Sequence, residues 1–229
     1  MIVNFNKWNK AFEKSVLDCY EPNIGLFLGG ADSTAIALCL ADHKLPFLSV
    51  TCLNNPKTED LNTLQTVIDY TKEYNTHFEV SNYKELTPFM KPFFTYKWNF
   101  SPVLSCIDAL DTKVFLHGSK FGTFVREYKL VEKNISALED YVEKNINVLE
   151  DYGKLGKGTH AESLFNQCII SMLMNVWIKY PYVNEEILKA FDKNHRITRE
   201  IEKLPVTKYL IDRNIPIPKI AGTFTEQWQ

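Results

Sequence analysis

Residues 24–38 read Ile24-Gly25-Leu26-Phe27-Leu28-Gly29-Gly30-Ala31-Asp32-Ser33-Thr34-Ala35-Ile36-Ala37-Leu38. The stretch opens as an apolar run, breaks at a glycine pair, and resumes with Ala35, Ile36, Leu38 and Cys39 at helical spacing. Such a pattern is that of a buried parallel strand, a tight turn and a helix entering the next layer. Glycines at the turn carry no Cβ, so backbone amides can close on an anion. The helix that follows aims its unpaired N–H groups and positive dipole end at the same spot. Asp32 and Ser33 stand where helix-capping residues belong. A capped strand-to-helix turn with no ligand has the same outline.

Outward from this centre the chain alternates. Upstream, Trp8, Phe12, Val16 and Cys19 form a helical stripe over Lys7–Tyr20. Downstream come a strand over Phe47–Leu53, a helix from Thr58 to near Tyr74, and a short strand at His77–Val80. A β–α–β–α–β order argues for an α/β fold, a Rossmann-like parallel sheet of at least four strands with helices on both faces. Ligands of such sheets lie at the C-terminal ends of the strands, where the glycine turn sits. Residues 81–112 are broken by Pro88, Pro92 and Pro102 and are rich in aromatics, which suits packing under a long connection or a pocket lining. Val103–Leu110 reads as a helix and Lys113–His117 as a fourth strand ending at Gly118.

Val131–Tyr141 and Val142–Tyr152 are near-identical, and their apolar residues fall on one face of a continuous, otherwise acidic helix. Packed surface helix and partner-binding helix both fit. Residues 153–158, GKLGKG, end it. From His160 a broad apolar face extends through Leu164, Cys168, Met172 and Val176 to Trp177, and shorter helices are expected at Val183–Phe191, Ile197–Leu204 and Thr207–Arg213. Hence a core over residues 1–130 and a helical part over 131–229 make a single domain.

Length and composition bound the rest. A chain of 229 residues, 45% apolar and 24% charged, is that of an ordinary globular protein. A net charge of −2 gives no electrostatic case for nucleic acid or an anionic membrane as partner. No apolar run approaches membrane-spanning length and the N-terminus lacks the order of a signal peptide, so the expected compartment is the cytoplasm. The five cysteines are scattered and none is spaced as CxxC, which reads as free buried thiols.

Neither GxxxxGK[ST] nor GxGxxG is present. Gly29-Gly30-Ala31-Asp32-Ser33-Thr34 instead resembles the SGGxDS signature of the PP-loop ATP pyrophosphatases, with Leu28 where that family usually has serine. Further short stretches, in one order, resemble the synthetase domain of asparagine synthetase: Ser49–Leu53, Lys113–Gly118, Tyr180–Val183, Lys208–Asp212 and Pro218-Lys219. The resemblance implies an AMP-forming ligase. A carboxylate attacks the α-phosphate of ATP, pyrophosphate leaves with magnesium, and an amine or ammonia displaces AMP to form an amide. It further implies that Phe27, Val50, His117 and Gly118 surround adenine and ribose, that Gly29, Gly30, Asp32, Ser33 and Thr34 hold pyrophosphate, and that Leu28 belongs to the same ATP site with one hydroxyl donor fewer than the family's serine. Asp32 would bind the metal, and Lys219 and Lys208 would stabilise charge during amide formation.

Two parts of that family are missing. No N-terminal nucleophile stands at Ile2, so the amine would come free or from a partner protein. The acids of the GEGxDE loop are absent after Gly118, where Ser119, Lys120 and Gly122 follow and Glu127 is the nearest carboxylate. A nucleotide-binding subunit without catalysis, and a PP-loop enzyme acting on a nucleobase, are the alternatives.

Overall fold

The computed structural model describes residues 2–53, 58–81, 101–118, 170–192 and 199–217. In chain order these form α1 (Phe5–Cys19), β1 (Gly25–Phe27), α2 (Ala31–Asp42), β2 (Phe47–Cys52), α3 (Thr58–Thr71), β3 (Asn75–Val80), α4 (Ser101–Ala109), β4 (Val114–Leu116), β5 (Trp177–Lys179), α5 (Glu185–Leu188) and α6 (Arg199–Ile211). The strands make one sheet in the order β3-β2-β1-β4-β5. Every neighbouring pair is parallel, with Phe27 opposite Val50, Leu26 opposite Leu116, and Val114 opposite Trp177. The chain is therefore an α/β protein, and the strand order reverses between β1 and β4.

Strand alternation divides the core into two layers. Ile24, Leu26 and Leu28 point to one face and pack with Leu116, Phe47 and the apolar sides of α1, α2, α3, α5 and α6. Phe27, Val50 and Phe115 point to the other, under Val103, Leu104, Cys106 and Ile107 of α4. Gly25 belongs to the second face. A Cβ there would stand 2.7 Å from the Phe115 ring, so the missing side chain is what lets that ring lie across β1. Helix α2 is buried nearly all round, from Ala35 to Leu40, because α1, α3 and α6 all cover it.

The C-terminal part differs from its sequence reading in three places. Val176 and Trp177 do not continue a helical face: residues 170–174 are helical, Asn175 turns the chain at φ 52°, and Trp177–Lys179 is the fifth strand. Trp177 is 73% exposed on this edge. The segment Val183–Phe191 is helical only over Glu185–Leu188, and Phe191 instead bridges Val3 in antiparallel fashion. Finally, one helix, α6, runs through Pro205 where two were expected. Val206, Tyr209 and Leu210 on the far side of the proline are buried, and their packing outweighs the lost hydrogen bond. The repeat at 131–152, the glycine–lysine link at 153–158, the aromatic run of residues 89–100 and the apolar stretch of 160–169 lie outside the described residues.

Candidate functional site

The glycine turn sits where the sequence puts it, between β1 and α2 at the C-terminal edge of the sheet. Its entry is pinned by β2: the Leu28 N–H donates to Val50 O at 2.9 Å, and the Thr51 hydroxyl donates to Leu28 O at 2.8 Å. Gly30, rather than Asp32 or Ser33, is the N-cap of α2, because the helix already starts at Ala31. Its φ −125° and ψ 175° are open to any residue, and among the described residues no atom beyond its chain neighbours lies within 4 Å of where its Cβ would be. Among the described residues the turn is therefore uncovered at Gly30.

Ser33 ties the turn to the helix. Its hydroxyl accepts from the Gly29 and Gly30 amides, each at 3.1 Å, and donates to Gly30 O at 3.0 Å. A serine hydroxyl thus occupies the two amides that a phosphate oxygen would use, and a ligand there has to displace it. Gly118, just beyond β4, crosses this first turn so closely that a Cβ would lie 2.6 Å from the Ser33 nitrogen. Only glycine fits the crossing without moving one of the two backbones.

Asp32 is the charged group of the site. Lys203, reaching in from α6, forms an ion pair with its Oδ2. Oδ1 is buried and meets no hydrogen-bond partner among the described residues. The Asp32 carbonyl accepts from the Tyr182 hydroxyl at 2.8 Å. Tyr182 is fully buried, stacked on Phe12 at 5.1 Å and close to Trp8, and burial pushes its phenol well above the usual range. The Ser15 hydroxyl donates to Pro181 O at 2.6 Å, so α1 holds this segment against the start of α2. Sequence reading singled out Tyr180–Val183 and missed Lys203. No local signal marks Lys203, since it reaches the turn only through the packing of α6 on α2.

The remaining residues separate into core and rim. Phe27 and Val50 are buried, with Phe27 stacked on Phe115 at 4.9 Å, and the Leu28 and Thr34 side chains are buried too. His117 is half-buried, with its ring 5.5 Å from Phe27 and 6.0 Å from Tyr180. Lys208 stands apart from the turn, paired with Asp212 at 2.7 Å and lying 5.9 Å over the Phe5 ring. Lys219, Ser119, Lys120, Gly122 and Glu127 lie outside the described residues. Among those described, no group of three or more His, Cys, Asp or Glu gathers to hold a metal.

The scattered cysteines are not all apart in space. The Cys106 thiol of α4 lies beside Cys52 at the end of β2, and that neighbour together with burial pushes its pKa up. No helix among the described residues is long and apolar enough to cross a membrane. No protein-family model matches the chain, and no curated protein matches it.

Proposed function

We propose that the turn Gly29–Ser33 binds the phosphates of an adenine nucleotide, and that the chain is an ATP-dependent, AMP-forming ligase of the asparagine synthetase kind. The observation that carries the first half is the turn at Gly30, uncovered among the described residues, at a helix N-terminus on the C-terminal edge of a parallel sheet, beside the reversal of strand order. Once phosphate displaces the Ser33 hydroxyl from them, the amides of Gly29 and Gly30 supply its donors, and the freed hydroxyl adds another. Phe27, Leu28 and Val50 meet a nucleotide through backbone, since their side chains are core. His117 and Gly118 border the adenine side.

The second half rests on the resemblance of Gly29–Thr34 and of the short stretches that follow it in order. The carboxylate oxygen attacks the α-phosphorus and pyrophosphate departs. The amine nitrogen then attacks the acyl carbon and AMP departs, with charge stabilised by Lys219; Lys208, which the resemblance also offers, is paired with Asp212 away from the turn. The resemblance expects magnesium on Asp32. The described residues do not fit it, because Oδ2 of Asp32 already holds an ammonium. That same pairing favours the second reading, a nucleotide-binding subunit that has lost catalysis.

Gly30→Glu tests the site cleanly. Its backbone conformation suits any residue and no described residue crowds its Cβ, so the fold is expected to stay intact, while a carboxylate at the mouth of the turn repels phosphate. ATP affinity by calorimetry is expected to fall about tenfold or more. Unchanged affinity in the folded variant refutes the phosphate site. Pyrophosphate release with a panel of carboxylates then separates ligase from binding subunit.

A further inference from the structure

Lys203 is the feature of the site that the resemblance does not supply. It comes from α6, five residues before Lys208, and its ammonium contacts Oδ2 of Asp32 in the first turn of α2. The pair is only partly exposed, 38% for Lys203 and 21% for Asp32. Its surroundings fix it from two sides. Tyr182 holds the carbonyl of the same aspartate, and α6 is anchored on α2 by Val206, Tyr209 and Leu210. Protein contacts alone therefore hold Asp32 in place.

Magnesium takes oxygen ligands and in protein sites uses one or two carboxylates, with phosphates and waters completing the shell. On Asp32 such an ion has to compete with an ammonium already in contact, and two cations on one small carboxylate repel each other. The buried Oδ1 is the single oxygen left to it. The ammonium also does for phosphate what the metal does elsewhere. It cancels the aspartate charge that would repel an anion, and it carries three N–H donors, of which Oδ2 needs one.

We propose that Lys203 takes the place of the divalent cation on Asp32, so that the turn accepts the polyphosphate of a nucleotide free of metal and resists metal binding. This rests on reading Gly29–Ser33 as a phosphate site. Lys203 is then a determinant of which form of the nucleotide binds, metal-free against metal-bound.

The test uses the full chain, as wild type, Lys203→Met and Lys203→Arg, in two measurements. Manganese alone, titrated by electron paramagnetic resonance without nucleotide, is expected to bind Lys203→Met about tenfold or more tightly than wild type, because the aspartate is released. Lys203→Arg keeps the positive charge and is expected to stay with wild type. ATP, titrated by calorimetry, is expected to bind wild type equally within about threefold in chelator and in magnesium. Lys203→Met should lose about tenfold in chelator and recover in magnesium. Equal manganese affinity of wild type and Lys203→Met overturns the competition, and a tenfold gain of wild type in magnesium overturns the metal-free preference. ATP binding to wild type in neither condition overturns the phosphate-site reading itself, and with it the metal-free preference, while the manganese comparison still decides whether Lys203 holds metal off Asp32.

Discussion

Ser33 is the residue on which the glycine turn depends, because its hydroxyl satisfies two glycine amides and one carbonyl at once. Removing it leaves the amides to water and α2 without its side-chain tie. Ser33→Ala is expected to cost about 1 kcal/mol, at the ordinary value for a capping hydroxyl. Urea denaturation with an unchanged slope measures this, and a loss below a few tenths would mean that the hydroxyl does not hold the turn in solution. Gly118 carries the complementary constraint. Its bare Cα is what lets the end of β4 rest on the Ser33 amide, so β4 and α2 close the two sides of the same small space.

At the scale of elements, helix ends explain how the site helix is bounded. Helix α2 ends with Lys44 at φ 58°, and the Leu45 N–H returns to Leu40 O at 3.0 Å. This is a left-handed C-terminal cap carried by a residue with a side chain, where glycine has no steric penalty. Lys44→Gly is therefore expected to stabilise the protein by about 0.5–1 kcal/mol, read as a raised melting temperature. A lowered one would show that the lysine stem packs usefully on the helix end. Asn214 closes α6 in the same way at φ 57°, with Ile215 N–H on Leu210 O at 3.0 Å. Asparagine tolerates that conformation better, which makes Lys44 the position with more to gain.

For the whole molecule, the edge of the sheet carries a pH liability. His77 on β3 meets the Ser49 hydroxyl of β2 through Nδ1 at 2.7 Å, and its Nε2 is buried with no hydrogen-bond partner among the described residues. Burial lowers its pKa from 6.5 to about 4. Protonation is thus easier in the unfolded chain than in the folded one. Nothing is lost above pH 6.5, and stability falls as the pH drops from there towards 4, below which the loss levels off. The full loss is about 2 kcal/mol, allowing for the partial exposure of the ring. Denaturation midpoints between pH 7 and 4 measure it, and His77→Gln is expected to flatten that part of the profile. An identical profile in the variant would move the acid sensitivity to other groups.

What the sequence determined by itself was local. Apolar runs of strand length, the stripe of α1 and the glycine pair are all written in neighbouring residues, and they place β1, β2, β3, β4 and the turn between β1 and α2, whereas the N-cap fell to Gly30 and left Asp32 and Ser33 inside the first turn of α2. What only the tertiary structure decided involves partners far apart along the chain. Trp177–Lys179 carries the same apolar residues as a helix face and became a strand because β4 offered it a parallel edge. Pro205 stayed inside α6 because Val206, Tyr209 and Leu210 had to reach the core beyond it. Lys203 met Asp32, and Tyr182 its carbonyl, across 171 and 150 residues. Periodicity reports which face of an element is apolar, whereas the ion pair at the site depends on which two faces finally meet.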